Sequence, residues 1–81
     1  MDRINQRTNH LLGYNIKRLR QEHNLKNRDV IAKLQLRNIE IYRSTYSKVE
    51  MGLNNPTVDM IIALADIYQC SFDEFFKPIP N

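Results

Sequence analysis

The sequence is poor in the residues that build disulfides, metal sites and membrane spans. It has one cysteine, Cys70, and two histidines, His10 and His23, so an internal disulfide and the usual spacing of metal ligands are both excluded. No apolar run approaches the roughly 18 residues of a membrane span, and the polar start has none of the apolar stretch of a signal peptide. We therefore expect a cytoplasmic protein with no metal and no membrane contact.

Features of an enzyme are also missing. A chain of 81 residues makes one domain with one modest core, which leaves little room for a catalytic cleft. The sequence shows no nucleophile–base–acid set and no glycine-rich loop for phosphate, since Gly13 and Gly52 are its only glycines. It therefore predicts a protein that is not an enzyme, uses no cofactor and takes no small-molecule ligand.

Positive charge is concentrated at the start of the chain. Residues 1–28 contain seven Lys and Arg against two acids, whereas residues 53–81 contain one against four. A basic half suits a polyanion such as nucleic acid. Many soluble proteins share such an asymmetry, so it indicates a partner only together with other features.

The apolar spacing is helical throughout. Leu12, Ile16 and Leu19 recur at i, i+4 and i+7, and Thr57 and Ser71 are suitable N-cap residues for later helices. Ser71 followed by Glu74 has the spacing of a capping box, and Gly52 stands where a left-handed helix cap is wanted. The pattern predicts an all-α fold of five helices at about residues 10–23, 27–37, 43–51, 58–68 and 72–76.

Four fragments in the right order resemble one family, the lambda-repressor-like (Xre/Cro-type) helix-turn-helix domains. In chain order they are Ile16 to Arg20 followed by Leu25, Arg43 to Gly52, Pro56-Thr57 followed by Leu64-Ala65, and Ser71 to Phe76. The resemblance implies a five-helix DNA-binding domain over residues 11–76, with a disordered arm at 1–10 and a tail at 77–81. It also implies a homodimer on a palindromic double-stranded DNA operator.

The sequence departs from the family pattern mainly around the turn before helix 3. About five extra residues lie between Gln35 and Tyr42. Lys26 and Tyr42 occupy the positions of short polar caps, and Asn27 occupies that of a glutamine which contacts phosphate in relatives. These changes affect how helices 2 and 3 are presented to DNA.

Helix 3 carries the predicted base readers. Tyr46 and Val49 are expected to face the core, while a separate face holds Arg43, Ser44, Ser47 and Lys48. Arginine and lysine donate to guanine O6 and N7, and serine hydroxyls bond bases or phosphates, so this face suits the major groove. By spacing alone it would equally be a solvated face; the family resemblance favours base reading.

The resemblance also supplies contacts to the DNA backbone and one structural pair. The backbone contacts would come from Lys17, Arg18, Asn27, Thr45, Asn54 and Asn55. Each neutralised phosphate releases counterions and adds to the salt dependence of binding. Basic helix faces and turn asparagines are also common without such a role. The pair is Arg20 with Glu50, expected to hold helix 3 against helix 1.

Two functions from different classes remain open. The first is a sequence-specific transcriptional regulator, expected to be a repressor, that reads the major groove with helix 3. The second is a protein-binding module on the same fold, such as an antirepressor or an antitoxin-type partner. The polar face of helix 3 favours the first, and Met51 is the one apolar residue on it that favours the second.

Overall fold

The computed structural model describes residues 3–4 and 10–80. Four α-helices occupy most of residues 10–80, and a short 3₁₀ helix stands where the fifth predicted helix was expected. The positions of the predicted helices are otherwise correct to within a residue or two at each end. The elements are α1 (Leu11–Glu22), α2 (Asn27–Leu36), α3 (Arg43–Glu50), α4 (Val58–Tyr68) and the 3₁₀ helix (Phe72–Phe76).

The predicted capping box at the last helix is wrong. Glu74 does not turn back to Ser71; its carboxylate pairs with Lys77 at 2.9 Å and with Arg18 at 3.4 Å. The backbone amide of Glu74 instead bonds to the Ser71 carbonyl oxygen at 3.2 Å, the i to i+3 pattern of a 3₁₀ turn. Because Pro78 has no amide hydrogen, the segment cannot continue as an α-helix.

Side chains of α1 satisfy the carbonyl groups of this last turn. The fully buried Asn15 donates through Nδ2 to the carbonyl oxygens of Phe75 at 3.0 Å and Lys77 at 2.9 Å. Arg18 donates to the Glu74 carbonyl oxygen at 2.9 Å and, through Nε, to Asn15 Oδ1 at 3.1 Å. Buried polar groups need such partners, so α1 fixes the path of the C-terminal segment.

One apolar core joins all five elements. Tyr46 and Val49 of α3 are buried, as their spacing predicted, and Phe75 is the buried aromatic of the 3₁₀ helix. The other large buried residues are Leu12, Ile16, Leu19, Val30, Ile31, Leu34, Met60, Ile61, Leu64 and Tyr68.

Two residues of the predicted N-terminal arm pair with the connection between α3 and α4. Arg3 and Thr57 form an isolated antiparallel bridge, and the amide of Ile4 donates to the Pro56 carbonyl oxygen at 2.9 Å. Ile4 is partly buried against the core. The remainder of the arm, residues 1–2 and 5–9, and the final tail residue, 81, lie outside the described residues.

Each of the four described α-helices is followed within two residues by one residue in the left-handed conformation. These residues are Asn24, Asn38, Gly52 and Gln69, with φ of 56°, 63°, 79° and 51°. In each case the next amide donates back to the carbonyl five residues earlier, as Leu53 does to Lys48 at 2.8 Å. Asparagine adopts this conformation more readily than glutamine, so Gln69 is the strained member of the set.

Helix starts use different devices. The Thr57 hydroxyl accepts from the Met60 amide at 3.1 Å, so the predicted cap of α4 is confirmed. At α2 the N-cap residue is Lys26, which makes no side-chain cap, and the reciprocal bond from Asp29 holds the first turn instead. The Asp29 carboxylate accepts from the Lys26 amide at 2.8 Å, which places a negative charge in the first turn.

A close crossing of α1 and α3 positions the third helix. Gly13 lies at the crossing, and a Cβ atom there would collide with the carbonyl oxygens of Val49 and Glu50. Only glycine allows the two backbones to approach this closely.

Arg20 and Glu50 are brought together beside this crossing. Arg20 Nε and Nη2 donate to the two Glu50 oxygens at 2.7 and 3.0 Å, and Nη1 donates to the Leu25 carbonyl oxygen at 3.0 Å. The two side chains are only 14% and 6% exposed. The hydrogen bond to Glu50 raises the pKa of Arg20, although burial opposes this. Burial raises the pKa of the nearby Tyr46 and Tyr68, which therefore stay neutral beside the pair.

We expect Gln69→Gly to stabilise the protein by about 0.5–1 kcal/mol, because glycine adopts a positive φ without the steric cost borne by other residues. Urea unfolding followed by circular dichroism measures the change. Gln69→Ala is the control: it also removes the side-chain bond to the Asp66 carbonyl oxygen but keeps Cβ. A glycine variant no more stable than the alanine variant would show that the conformation is not strained.

We expect Arg20→Met and Glu50→Met each to lower the free energy of unfolding by about 3–5 kcal/mol, since each leaves a buried charge without its partner. The double variant should lose less than the sum of the two single losses. Equilibrium urea unfolding of all four proteins gives the coupling. Single losses of about 1 kcal/mol or less, as found for exposed pairs, would contradict a buried pair that holds α3.

Candidate nucleic-acid interface

The outer face of α3 is polar and basic. Tyr46 and Val49 are turned into the core, and Arg43, Ser44 and Lys48 are exposed on the other side. Ser47 is half-buried at the edge of that face. The predicted readers therefore share one surface of the helix, with Arg43 and Ser44 in its first turn.

Ser47 is in contact with the start of α2. The Asn27 side-chain amide donates to the Ser47 hydroxyl oxygen at 3.2 Å. The structure thus brings together a predicted backbone contact and a predicted base reader that lie 20 positions apart in the chain. The contact fixes α3 relative to the first residue of α2 and leaves the Ser47 hydroxyl hydrogen available as a donor.

The start of α2 carries more positive charge than the sequence reasoning assigned to it. Lys26 and Arg28 flank Asn27, and both are exposed. Both side chains lie at the positive end of the α2 dipole, where the Lys26 amide is already bonded to the Asp29 carboxylate, so the two cations and not that amide are available to a phosphate. Lys26, a basic residue at a position where a short polar cap is usual, is the feature of the sequence that indicated this positive charge.

The basic run of α1 divides among three directions. Lys17 is exposed. Arg20 is turned to Glu50, and Arg18 leaves the helix on nearly the opposite side from Arg20, because successive residues turn by about 100°. Only Lys17 of the three is presented to solvent.

The assignment of Arg18 to the DNA backbone stays a prediction, and the fold already uses this side chain. Its guanidinium is held by Asn15, Glu22 and Glu74, including an ion pair with Glu22 at 3.1 Å. These contacts satisfy its donors within the fold and join α1 to the C-terminal segment. A phosphate would compete with these contacts for the Arg18 donors, so the geometry favours a structural role for Arg18.

The loop after α3 holds two further candidates. Asn54 and Asn55 are half-buried, and the Asn54 amide donates to the Lys48 carbonyl oxygen at 3.2 Å. The loop is thus fixed to the end of the recognition helix. Thr45, which is exposed on α3, and Asn55 both line one surface groove.

That groove is formed largely by the turn between α2 and α3. It has a volume of about 940 Å³ and lies between the turn, α3 and the start of α4. Ile39 and Ile41 of the turn pack partly against the core. The main lining residues are Asn38, Ile41, Tyr42, Thr45, Asn55 and Asp59.

Several large apolar side chains are exposed away from the core. Met51 and Leu53, at the end of α3 and just after it, are 62% and 63% exposed. Phe72, Phe76 and Ile79 form a second exposed group in the C-terminal segment. Both groups are available to another macromolecule.

The described α-helices have at most 12 residues each, and none of them has the length and hydrophobicity to cross a lipid bilayer.

Comparison with known proteins identifies one family. A family model described as helix-turn-helix matches residues 16–75, most of the chain, from the middle of α1 to the 3₁₀ helix. No curated protein and no solved structure gives a significant match. The match includes both helices of the candidate interface and Arg20, the α1 residue that pairs with Glu50. The chain therefore belongs to the Xre/lambda-repressor-like helix-turn-helix family of DNA-binding transcription regulators.

Proposed function

We propose that this protein is a sequence-specific regulator that represses transcription by placing α3 in the major groove of an operator. The observation that supports this most is the exposed face formed by Arg43, Ser44 and Lys48 on a helix whose other side is locked into the core. A rigid helix with donors on its free side matches the requirements of base reading.

Arg43 and Lys48 are the proposed readers of guanine. Recognition helices enter the groove with their N-terminal part, which brings Arg43 and Ser44 closest to the bases. Lys48 lies one turn further along the same face. Ser44 and Ser47 have short side chains and serve closer or water-mediated contacts.

The contacts to phosphate are proposed for Lys17, Asn27, Thr45, Asn54 and Asn55, with Arg18 removed from this set. Lys26 and Arg28 add two exposed cations beside Asn27. These residues lie on α1, at the start of α2, on α3 and in the loop after α3. They would position the protein on the duplex without reading its sequence.

A homodimer on a palindromic operator is the proposed assembly. One such domain reaches a single segment of the major groove, so two copies are needed for half-sites about one helical turn apart. The exposed group Phe72, Phe76 and Ile79 is the proposed contact between copies. Asn15 and Arg18 hold this segment against α1, which gives the dimer contact a fixed position relative to α3.

A second function is favoured by one observation. Met51 and Leu53 expose apolar surface at the far end of α3, and such surface suits contact with another protein. A protein-binding module on this fold would use that end of the helix. Selection of bound sequences from a random duplex pool separates the two functions: the regulator should enrich a palindrome, and the protein-binding module should enrich nothing.

We expect duplex binding to be strongly dependent on salt. A complex with ~6–10 phosphate contacts should lose about 10³–10⁵-fold in affinity between roughly 50 and 200 mM salt. Fluorescence anisotropy at several salt concentrations, with the selected duplex and with a scrambled duplex of equal length, gives the slope of log affinity against log salt for each. Absence of binding to any duplex at low salt would exclude the proposed function.

Mutations should separate readers from backbone contacts. Arg43→Ala and Lys48→Ala should each cost about 1–3 kcal/mol on the selected site and relax preference at one base position. Lys17→Ala should weaken binding to all sequences alike and reduce the salt slope by about one.

Lys33→Ala is the matched control for charge, because Lys33 is exposed on α2 outside the proposed contacts. This variant should leave the base preference and the salt dependence of binding nearly unchanged. If Arg43→Ala and Lys48→Ala reduce specific and scrambled binding by equal factors, they are not readers.

A further inference from the structure

Tyr42 is the most exposed aromatic residue among those the structure describes. It is 80% exposed and occupies the N-cap position of α3, directly before Arg43. Its backbone is fixed, because its carbonyl oxygen accepts from the Tyr46 amide at 2.9 Å and Tyr46 is fully buried. The ring therefore extends from a firmly held position at the entering end of the recognition helix.

The lengthened turn is built so that Tyr42 faces outward. The turn is anchored at its start, where the Ile39 amide donates to the Leu34 carbonyl oxygen at 3.0 Å. Ile39 and Ile41 then pack partly against the core. The aromatic ring that follows them is left in solvent, although the chain could have placed a short polar cap there at lower cost in exposed apolar area.

From this placement we propose that Tyr42 is a specificity-determining residue whose ring packs against the C5 methyl group of a thymine at the edge of each half-site. The inference deepens the proposed function and rests on it. Tyr42 lies beside the first reader, Arg43, so the base in question adjoins the one that Arg43 contacts.

The chemistry of the major groove favours a thymine methyl as the partner. It is the apolar group that the base edges present there, and apolar side chains recognise it by contact. A phosphate would engage only the tyrosine hydroxyl and leave the ring exposed. Tyr42 also lines the groove between α2 and α3, together with Ile41 and Thr45, beside the reading face.

The test removes the methyl group and the ring separately. Duplexes that carry the selected operator are made with each thymine replaced in turn by deoxyuridine, which lacks only the C5 methyl. At one position in each half-site, this replacement should weaken binding of the wild-type protein about fourfold. That is the factor for removing one methyl-sized group from an apolar contact. Tyr42→Ala should bind the unmodified operator about tenfold more weakly and lose this sensitivity.

Two variants complete the experiment. Tyr42→Phe keeps the ring and should keep the sensitivity to deoxyuridine. Tyr14→Ala removes an exposed tyrosine of α1 and should behave as wild type. Circular dichroism and thermal unfolding establish that each variant is folded, because only folded variants enter the comparison.

The outcomes are distinct. The inference is overturned, with the proposed function intact, if Tyr42→Ala retains the full sensitivity or if wild type shows none. It is also overturned if Tyr42→Phe loses as much as Tyr42→Ala, because the contact would then be made by the hydroxyl. Absence of binding to any duplex overturns both the proposed function and the inference.

Discussion

The placement of α3, the proposed recognition helix, depends on the close crossing of α1 and α3. Gly13 lets the two backbones approach, and the buried pair of Arg20 and Glu50 fixes their angle. A buried ion pair is specific because a misplaced charge would remain uncompensated. Once α3 is held in this way, Tyr46 and Val49 must face inward, and the opposite face becomes a rigid polar surface.

Three basic residues within about one turn of α1 show how one helix serves several tasks. Arg20 holds α3, Arg18 holds the C-terminal segment and Lys17 remains exposed. The helical turn of about 100° per residue separates these three directions. The helix proposed to read bases and the segment proposed for the dimer contact are therefore both attached to α1.

The connections contribute to this rigidity with few glycines. Asn24, Asn38 and Gln69 adopt the left-handed conformation that Gly52 adopts at no steric cost. Each reversal satisfies the last carbonyl groups of its helix, so the loops are short and firmly bonded. The turn after Asn38 is less compact than these reversals, and it ends at the exposed ring of Tyr42.

Local sequence alone predicts helix spacing, helix caps and helix ends, because each of these depends on residues only a few positions apart. The structure has the buried stripes that helical spacing predicted, formed by Leu12, Ile16 and Leu19 in α1 and by Tyr46 and Val49 in α3. It also has the Thr57 cap and the left-handed Gly52, which are equally local features. The family pattern added the partners Arg20 and Glu50, which are 30 positions apart. Only tertiary structure decided that Arg18 and Asn15 bind the carbonyls of the last turn, that this turn is 3₁₀, and that Asn27 meets Ser47. These contacts join residues 20–62 positions apart whose side chains suit many partners, so packing alone selects among them.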